Sequence, residues 1–207
     1  MQKLVYIALG TVLMTVSCNK QITSTKEVDA KDSQTFADLD KAKIKHLSLD
    51  IETDFKTHQI KGSAAYTFTN NKAKELILDT EKLTIDSVLL ANGQKTTFHL
   101  GEKDSIKGQA LVIDVSPKDT IVKVFYKTSP DANALQWLDP QQTHDKKQPF
   151  LLTQGQAILT RSWIPIQDTP SIRVTYDAKV KTPKDLMVLM SAINPKEKNA
   201  EGIYTFK

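Results

Sequence analysis

The feature that most constrains this chain is a period of two in its apolar residues, sustained from Lys43 onward. In HLSLDIETDF, Leu47, Leu49 and Ile51 alternate with Ser48, Asp50 and Glu52. In GSAAYTFTN, Ala64, Tyr66 and Phe68 share one face, and in VTYDAKV, Val174, Tyr176, Ala178 and Val180 oppose Thr175, Asp177 and Lys179. Successive side chains of an extended strand point to opposite faces, so the pattern marks half-buried antiparallel strands with one face in water. Turn-forming residues recur between them: Asn70-Asn71, Asn92-Gly93, Gly101, Gly108, Ser116-Pro117 and Ser129-Pro130. This spacing predicts about eight to ten strands and no helix. The expected fold is all-β, an antiparallel sandwich or a curved, saddle-like sheet over residues 41–207. A stretch of that length makes one domain with a real core.

Upstream, the composition changes twice. Residues 1–17 (MQKLVYIALGTVLMTVS) have a lysine near the start, an apolar stretch and a small residue at the end, the layout of a secretory signal peptide. The apolar stretch is too short to span a bilayer, which needs about 20 residues. Cys18 follows directly and is the only cysteine, so no internal disulfide can form. A lone cysteine at that place resembles a bacterial lipobox, with Thr15 where leucine is usual. The expectation is a lipidated Cys18, a membrane partner through that lipid anchor, and a location in the bacterial cell envelope. Residues 18–40 are polar and aperiodic, and are expected to form a disordered, flexible tether.

The chemistry of the chain is thin. Its net charge of +4 is dispersed, and no basic block with interleaved aromatics occurs, so nucleic acid is not an expected partner. His46, His58, His99 and His144 are scattered, and none belongs to an H-E-x-x-H motif. There is no G-x-S-x-G elbow and no phosphate-binding glycine loop. These residues do not make a complete enzyme, and no catalytic residue or metal ligand is assigned among them.

Residues 151–171 read LLTQGQAILTRSWIPIQDTPS, and within them Gln154 and Gln156 bracket a glycine in an apolar run. A buried amide without a partner costs about 1–3 kcal/mol. Either the fold satisfies these amides through backbone groups at a strand end, or a ligand does. Arg161 and Asp168 have the spacing of a loop-bracing ion pair, and Asp168-Thr169-Pro170 reads as a turn. Trp137 and Trp163 are expected to be packing residues.

Several short motifs occur in order: LILDTEKLTIDSV from residue 76, ALQWL from 134, Gln142-Thr143, Q-x-Q-A from 154, Arg161, P-x-Q-D-T-P-S from 165, Tyr176 in a strand and LMSA from 189. Together they resemble the N-terminal domain of zinc aminopeptidases of the aminopeptidase N family, in its leukotriene A-4 hydrolase branch, over most of the chain from about residue 44. The resemblance implies an enzyme that removes N-terminal residues from peptides. Its zinc would be held by H-E-x-x-H and a glutamate on a following catalytic domain, a partner whose motif this sequence does not contain. It further implies that the loop with Gln154, Gln156 and Ala157 reaches the substrate. Gln156 would accept hydrogen bonds from the substrate ammonium, Gln154 would assist, Ala157 would line the site, and Gly155 would let backbone approach the ligand. Trp163-Ile164 and Ile166 replace smaller or cysteine-containing positions of that branch, so pocket shape does not transfer. The alternatives are a lipid-anchored, non-catalytic β binding module without the metal domain, or a plain structural β domain. The reading frame beyond Lys207 separates the first from the enzyme.

Overall fold

The structure, a computed structural model, describes residues 32–207, which form one compact unit. The expected signal peptide, Cys18 and residues 19–31 of the expected tether lie outside the described residues.

Twelve strands run in chain order: β1 (Ala42–Asp54), β2 (Gln59–Asn70), β3 (Glu75–Thr80), β4 (Thr84–Leu90), β5 (Lys95–Thr96), β6 (Phe98–Leu100), β7 (Gln109–Asp114), β8 (Ile121–Lys127), β9 (Leu135–Leu138), β10 (Phe150–Thr153), β11 (Thr175–Lys181) and β12 (Ile203–Phe206). Two single-turn 3-10 helices, Pro140–Gln142 and Thr160–Ser162, are the helical elements among the described residues. The sequence predicts fewer strands because β5 and β6, at two and three residues, are too short to carry a period. None of the described helices is long and apolar enough to cross a membrane.

The strands make a seven-stranded sheet in the order β12-β11-β1-β2-β8-β4-β5, a three-stranded sheet β3-β7-β6 and a separate two-stranded sheet β9-β10. Inward residues of the two larger sheets merge into one apolar cluster. Leu76 pairs with Ile113 and Leu78 with Leu111 across β3 and β7, and all four are fully buried. Tyr66, Val122 and Val124 of β2 and β8 are fully buried as well. Burying each such aliphatic side chain is worth about 1.5–3 kcal/mol. The alternation in β1 and β2 holds as expected, with Leu47, Leu49, Ile51, Ala64, Tyr66 and Phe68 all inside.

The expected all-β fold with antiparallel sheets forms, with one local exception and one shifted boundary. The sheet is not purely antiparallel, because β1 and β11 pair in parallel, His46 beside Thr175 through Glu52 beside Lys181. Alternation reports which face is buried and carries no information on strand direction. The tether is also shorter than expected, since residues 32–40 pack on the domain. Thr35 donates its hydroxyl to Asp79 at 2.5 Å, Phe36 donates its backbone N–H to the same carboxylate at 2.7 Å, and Ala37 is buried. The polar composition that suggested disorder supplies partners for a buried acid.

Candidate functional site

The tract of residues 151–171 starts on β10, which pairs antiparallel with β9 so that Leu151 faces Trp137 and Thr153 faces Leu135. One residue beyond the strand, the Gln154 N–H donates to the Ala134 carbonyl at 2.8 Å, extending the ladder. The chain then turns. The Gln154 side-chain oxygen accepts the backbone N–H of Gln156 at 3.0 Å, and Leu159 N–H donates to the Gly155 carbonyl at 2.8 Å. The loop closes on Ser162, which is buried. Its hydroxyl accepts the Ala134 N–H at 2.9 Å and donates to the Leu159 carbonyl at 2.7 Å. Both ends of the loop are therefore tied to the base of one hairpin.

This geometry removes the premise that the two glutamines sit in core. Gln154, Gln156 and Ala157 are all exposed, and Phe150 and Leu152 of β10 are exposed beside them. The Gln154 amide is used within the loop, whereas the Gln156 side chain has no hydrogen-bond partner among the described residues. Gly155 has a local reason. A Cβ there would lie 2.4 Å from the Thr160 hydroxyl, so a larger residue would have to displace that side chain.

Seven residues beyond Gln154 the same tract is treated in the opposite way. Arg161 is 1% exposed. Its Nε donates to Asp168 at 3.2 Å, Nη1 to the Lys107 carbonyl at 2.8 Å, and Nη2 to the carbonyls of Gln34 and Asp168 at 2.9 Å each. The Arg161–Asp168 pair expected from spacing thus forms. Burial pushes the Asp168 carboxyl above the usual carboxylate range, against the opposing pull of Arg161. Asp79, fully buried at 3.8 Å from the guanidinium, accepts Thr35 Oγ1, Phe36 N–H and Asp168 N–H. Arg161 fills a site where only a planar fork of donors can meet so many acceptors at once.

Gln167 stands in the sequence only as the glutamine of P-x-Q-D-T-P-S, with no role assigned to it. It is buried, accepts the Ile44 N–H at 3.0 Å and donates to the Ala42 carbonyl at 2.7 Å. The parallel partner β11 reaches β1 only from His46, and β1 carries a bulge between Ile44 and His46. One amide, with a donor and an acceptor, takes the place of strand pairing at the first residues of β1. A signal existed in the alternation, which breaks between Ile44 and Leu47, both buried yet three apart. Ile164 and Ile166 are core residues, and Trp163 packs against the core.

Trp137 is also a packing residue. The Phe55 ring meets it edge-on at 5.0 Å and 88°, and the His58 ring stacks on it at 5.3 Å and 8°. His46 bridges Thr175 and Asp177 at 2.7 Å each, while His99 and His144 are exposed. Among the described residues no group of three or more His, Cys, Asp or Glu side chains is arranged to hold a metal ion. An open depression of about 500 Å³ lies beside β10, lined by Leu138, Phe150, Leu186 and Met187 together with His144 and Lys198.

Residues 43–207 match the family model described as the peptidase M1 N-terminal domain. The chain is similar to a leukotriene A-4 hydrolase of Xenopus laevis, 40% identical over 85% of this chain and 31% of the relative. It is 36% identical to leucine aminopeptidase 2 of Yarrowia lipolytica, over 88% of this chain and 28% of that protein. Yeast LTA4 hydrolase in complex with bestatin superposes with a TM-score of 0.78 at 29% identity, over 87% of this chain and 28% of the other. The chain therefore spans less than a third of the length of these relatives.

Proposed function

This chain belongs to the peptidase M1 N-terminal domain family, and from that premise we propose that it is the substrate-positioning domain of a zinc metallopeptidase that removes N-terminal residues from peptides. The observation that carries the reading is the Gln156 side chain, which is exposed and without a partner on a loop otherwise tied down at both ends. An amide oxygen held at such a place can accept hydrogen bonds from a substrate ammonium without neutralising its charge. Gln154 acts one step back, since its own amide oxygen holds the Gln156 N–H, and Ala157 lines the site.

The donor set of the described residues does not fit zinc, which needs three clustered protein ligands. In this reading the ion belongs to a following catalytic domain, where it would polarise the scissile carbonyl and its water. Exposed Phe150 and Leu152 on β10, which leads into the loop, and exposed Met187, which lines the same depression as Phe150, support a surface for that domain. Such a cluster of apolar side chains near a polar loop is the usual mark of an interface.

The same proposal has the mature protein begin at a lipidated Cys18 and sit in a bacterial envelope, supported by the apolar stretch that ends at Ser17. Cys18→Ala should then move the protein out of the membrane fraction. Persistence of the variant with membranes would rule out the anchor.

The deciding experiment uses the proposed full-length enzyme, this domain together with its zinc domain. Gln156→Ala should lower kcat/KM for peptides about ten- to a hundredfold, the loss of about 1.5–3 kcal/mol for a hydrogen bond to a charged group. The melting temperature should be unchanged. Full specific activity in the folded variant would exclude Gln156 as a substrate contact. A reading frame that ends at Lys207 would replace the enzyme by the lipid-anchored binding module.

A further inference from the structure

We infer that Trp137, gripped by His58 and Phe55 of the β1–β2 turn, is the positioning residue that sets where the loop of residues 154–157 sits. The consequence for catalysis rests on the proposed role of Gln156, but the mechanical claim does not.

The sheet β9-β10 joins neither larger sheet through backbone pairing. A two-stranded hairpin alone is marginally stable in water, so side chains must set its place. At its base the tie is to Ser162, through Ala134. Along its length Leu135 is buried in the core, and Leu151 and Trp137 pack against it. Trp137 is the cross-strand neighbour of Leu151 on the strand that leads directly into Gln154, and it carries the contact to the β1–β2 turn. Phe55 meets the indole edge-on and His58 covers its face, and both come from the turn that closes the central hairpin β1–β2.

That turn is built to present the imidazole. Asp54 accepts the backbone N–H of Lys56 at 2.9 Å and of Thr57 at 3.2 Å. His58 then adopts φ +53°, a left-handed conformation that residues with a Cβ seldom take. The indole N–H is buried with no acceptor among the described residues. The ring is therefore held by its faces and edges, with no hydrogen bond to fix it. A phenyl ring can replace it in that role, whereas a methyl group cannot.

Amide hydrogen exchange on the 207-residue chain tests this. Trp137→Ala should speed exchange at Gln154 and Leu159 about tenfold or more, with Tyr66 on β2 and Val124 on β8 unchanged, because the opening is local. Trp137→Phe should restore protection. His58→Gly keeps the left-handed turn, which glycine accepts freely, and removes the stacked ring, so the loop should loosen while β2 and β8 stay protected. This variant keeps the inference testable if Trp137→Ala does not fold. Uniform acceleration across β2 and β8 would make Trp137 an ordinary core residue, and unchanged exchange at Gln154 and Leu159 would end the inference. In the longer enzyme Trp137→Ala should raise KM about tenfold with kcat held, and Trp137→Phe should reverse it. If Gln156→Ala is silent there while the exchange result stands, the substrate role of Gln156 fails and the positioning role survives.

Discussion

Gln156 and Arg161 are five residues apart and resolve the same problem, a polar side chain in an apolar tract, in opposite ways. Arg161 is enclosed, and the carbonyls of Gln34, Lys107 and Asp168 and the carboxylate of Asp168 take up its donors. Gln156 stands in solvent with its amide unengaged, on a loop whose backbone is well tied. A polar group whose capacity is used up within the fold contributes to stability and has nothing left to offer a ligand. A group kept open on a fixed backbone contributes almost nothing to stability and can recognise something else.

The largest effect that would sharpen this contrast is expected at Arg161. Arg161→Ala leaves Asp79 and Asp168 buried without their counter-charge and should destabilise the domain by about 3–5 kcal/mol in urea unfolding. Arg161→Lys should recover little, because an ammonium cannot reach the same set of acceptors. A cost below about 1 kcal/mol for Arg161→Ala would break the contrast at its buried end.

Gln167→Ala comes next. It orphans Ile44 N–H and the Ala42 carbonyl, both inside, and should cost about 1–3 kcal/mol, with the first residues of β1 losing exchange protection before the rest of the strand.

Acid titration separates two carboxylates of opposite sign. Burial holds Asp168 above its ordinary value of 3.8, so its contribution to stability is complete below that value and is lost as pH rises through the folded pKa. Asp177 is held below 3.8 by His46 and Ser48, so its contribution is present above 3.8 and is lost as pH falls through its folded pKa. The stability of the parent minus that of Asp168→Asn should rise on acidification from neutral pH, and the same difference for Asp177→Asn should fall below pH 3.8. Parallel pH profiles for the two variants would refute the assignment.

The smallest effect belongs to Gln156→Ala, which should leave unfolding free energy within about 0.5 kcal/mol of the parent. A larger loss would mean that the amide is engaged within the fold after all, and would erase the difference from Arg161.

How much of this was readable from sequence follows the range of the interactions. Alternation exposed the inward faces of β1, β2 and β11 because burial is local to a strand. The Arg161–Asp168 pair was readable because its partners are close along the chain. Asp79 and Gln34, which complete that hub, lie about 80 and 127 positions away, beyond any spacing rule. The two glutamines flanking Gly155 drew attention, yet the buried and fully engaged amide of the tract is Gln167, whose partners Ala42 and Ile44 lie on β1, more than 120 positions upstream. The start of the domain was misplaced for the same reason. Thr35 and Phe36 are ordered by a carboxylate more than 40 residues downstream.

The parallel pairing of β1 with β11 also bears on the order in which the chain can assemble. Ser48 and its neighbour Asp177 are separated by 129 positions. A ribosome adding about 5–20 residues per second needs roughly 6–26 s to cover that distance. Throughout that interval β2 can already have zipped onto one side of β1, while the other side offers bare N–H and C=O groups to any passing strand. Loop closure across such a span is slow, and β1 is among the last inner strands of the sheet to have both flanks covered. Shielding that flank until residue 181 has emerged would keep nascent copies from pairing with one another.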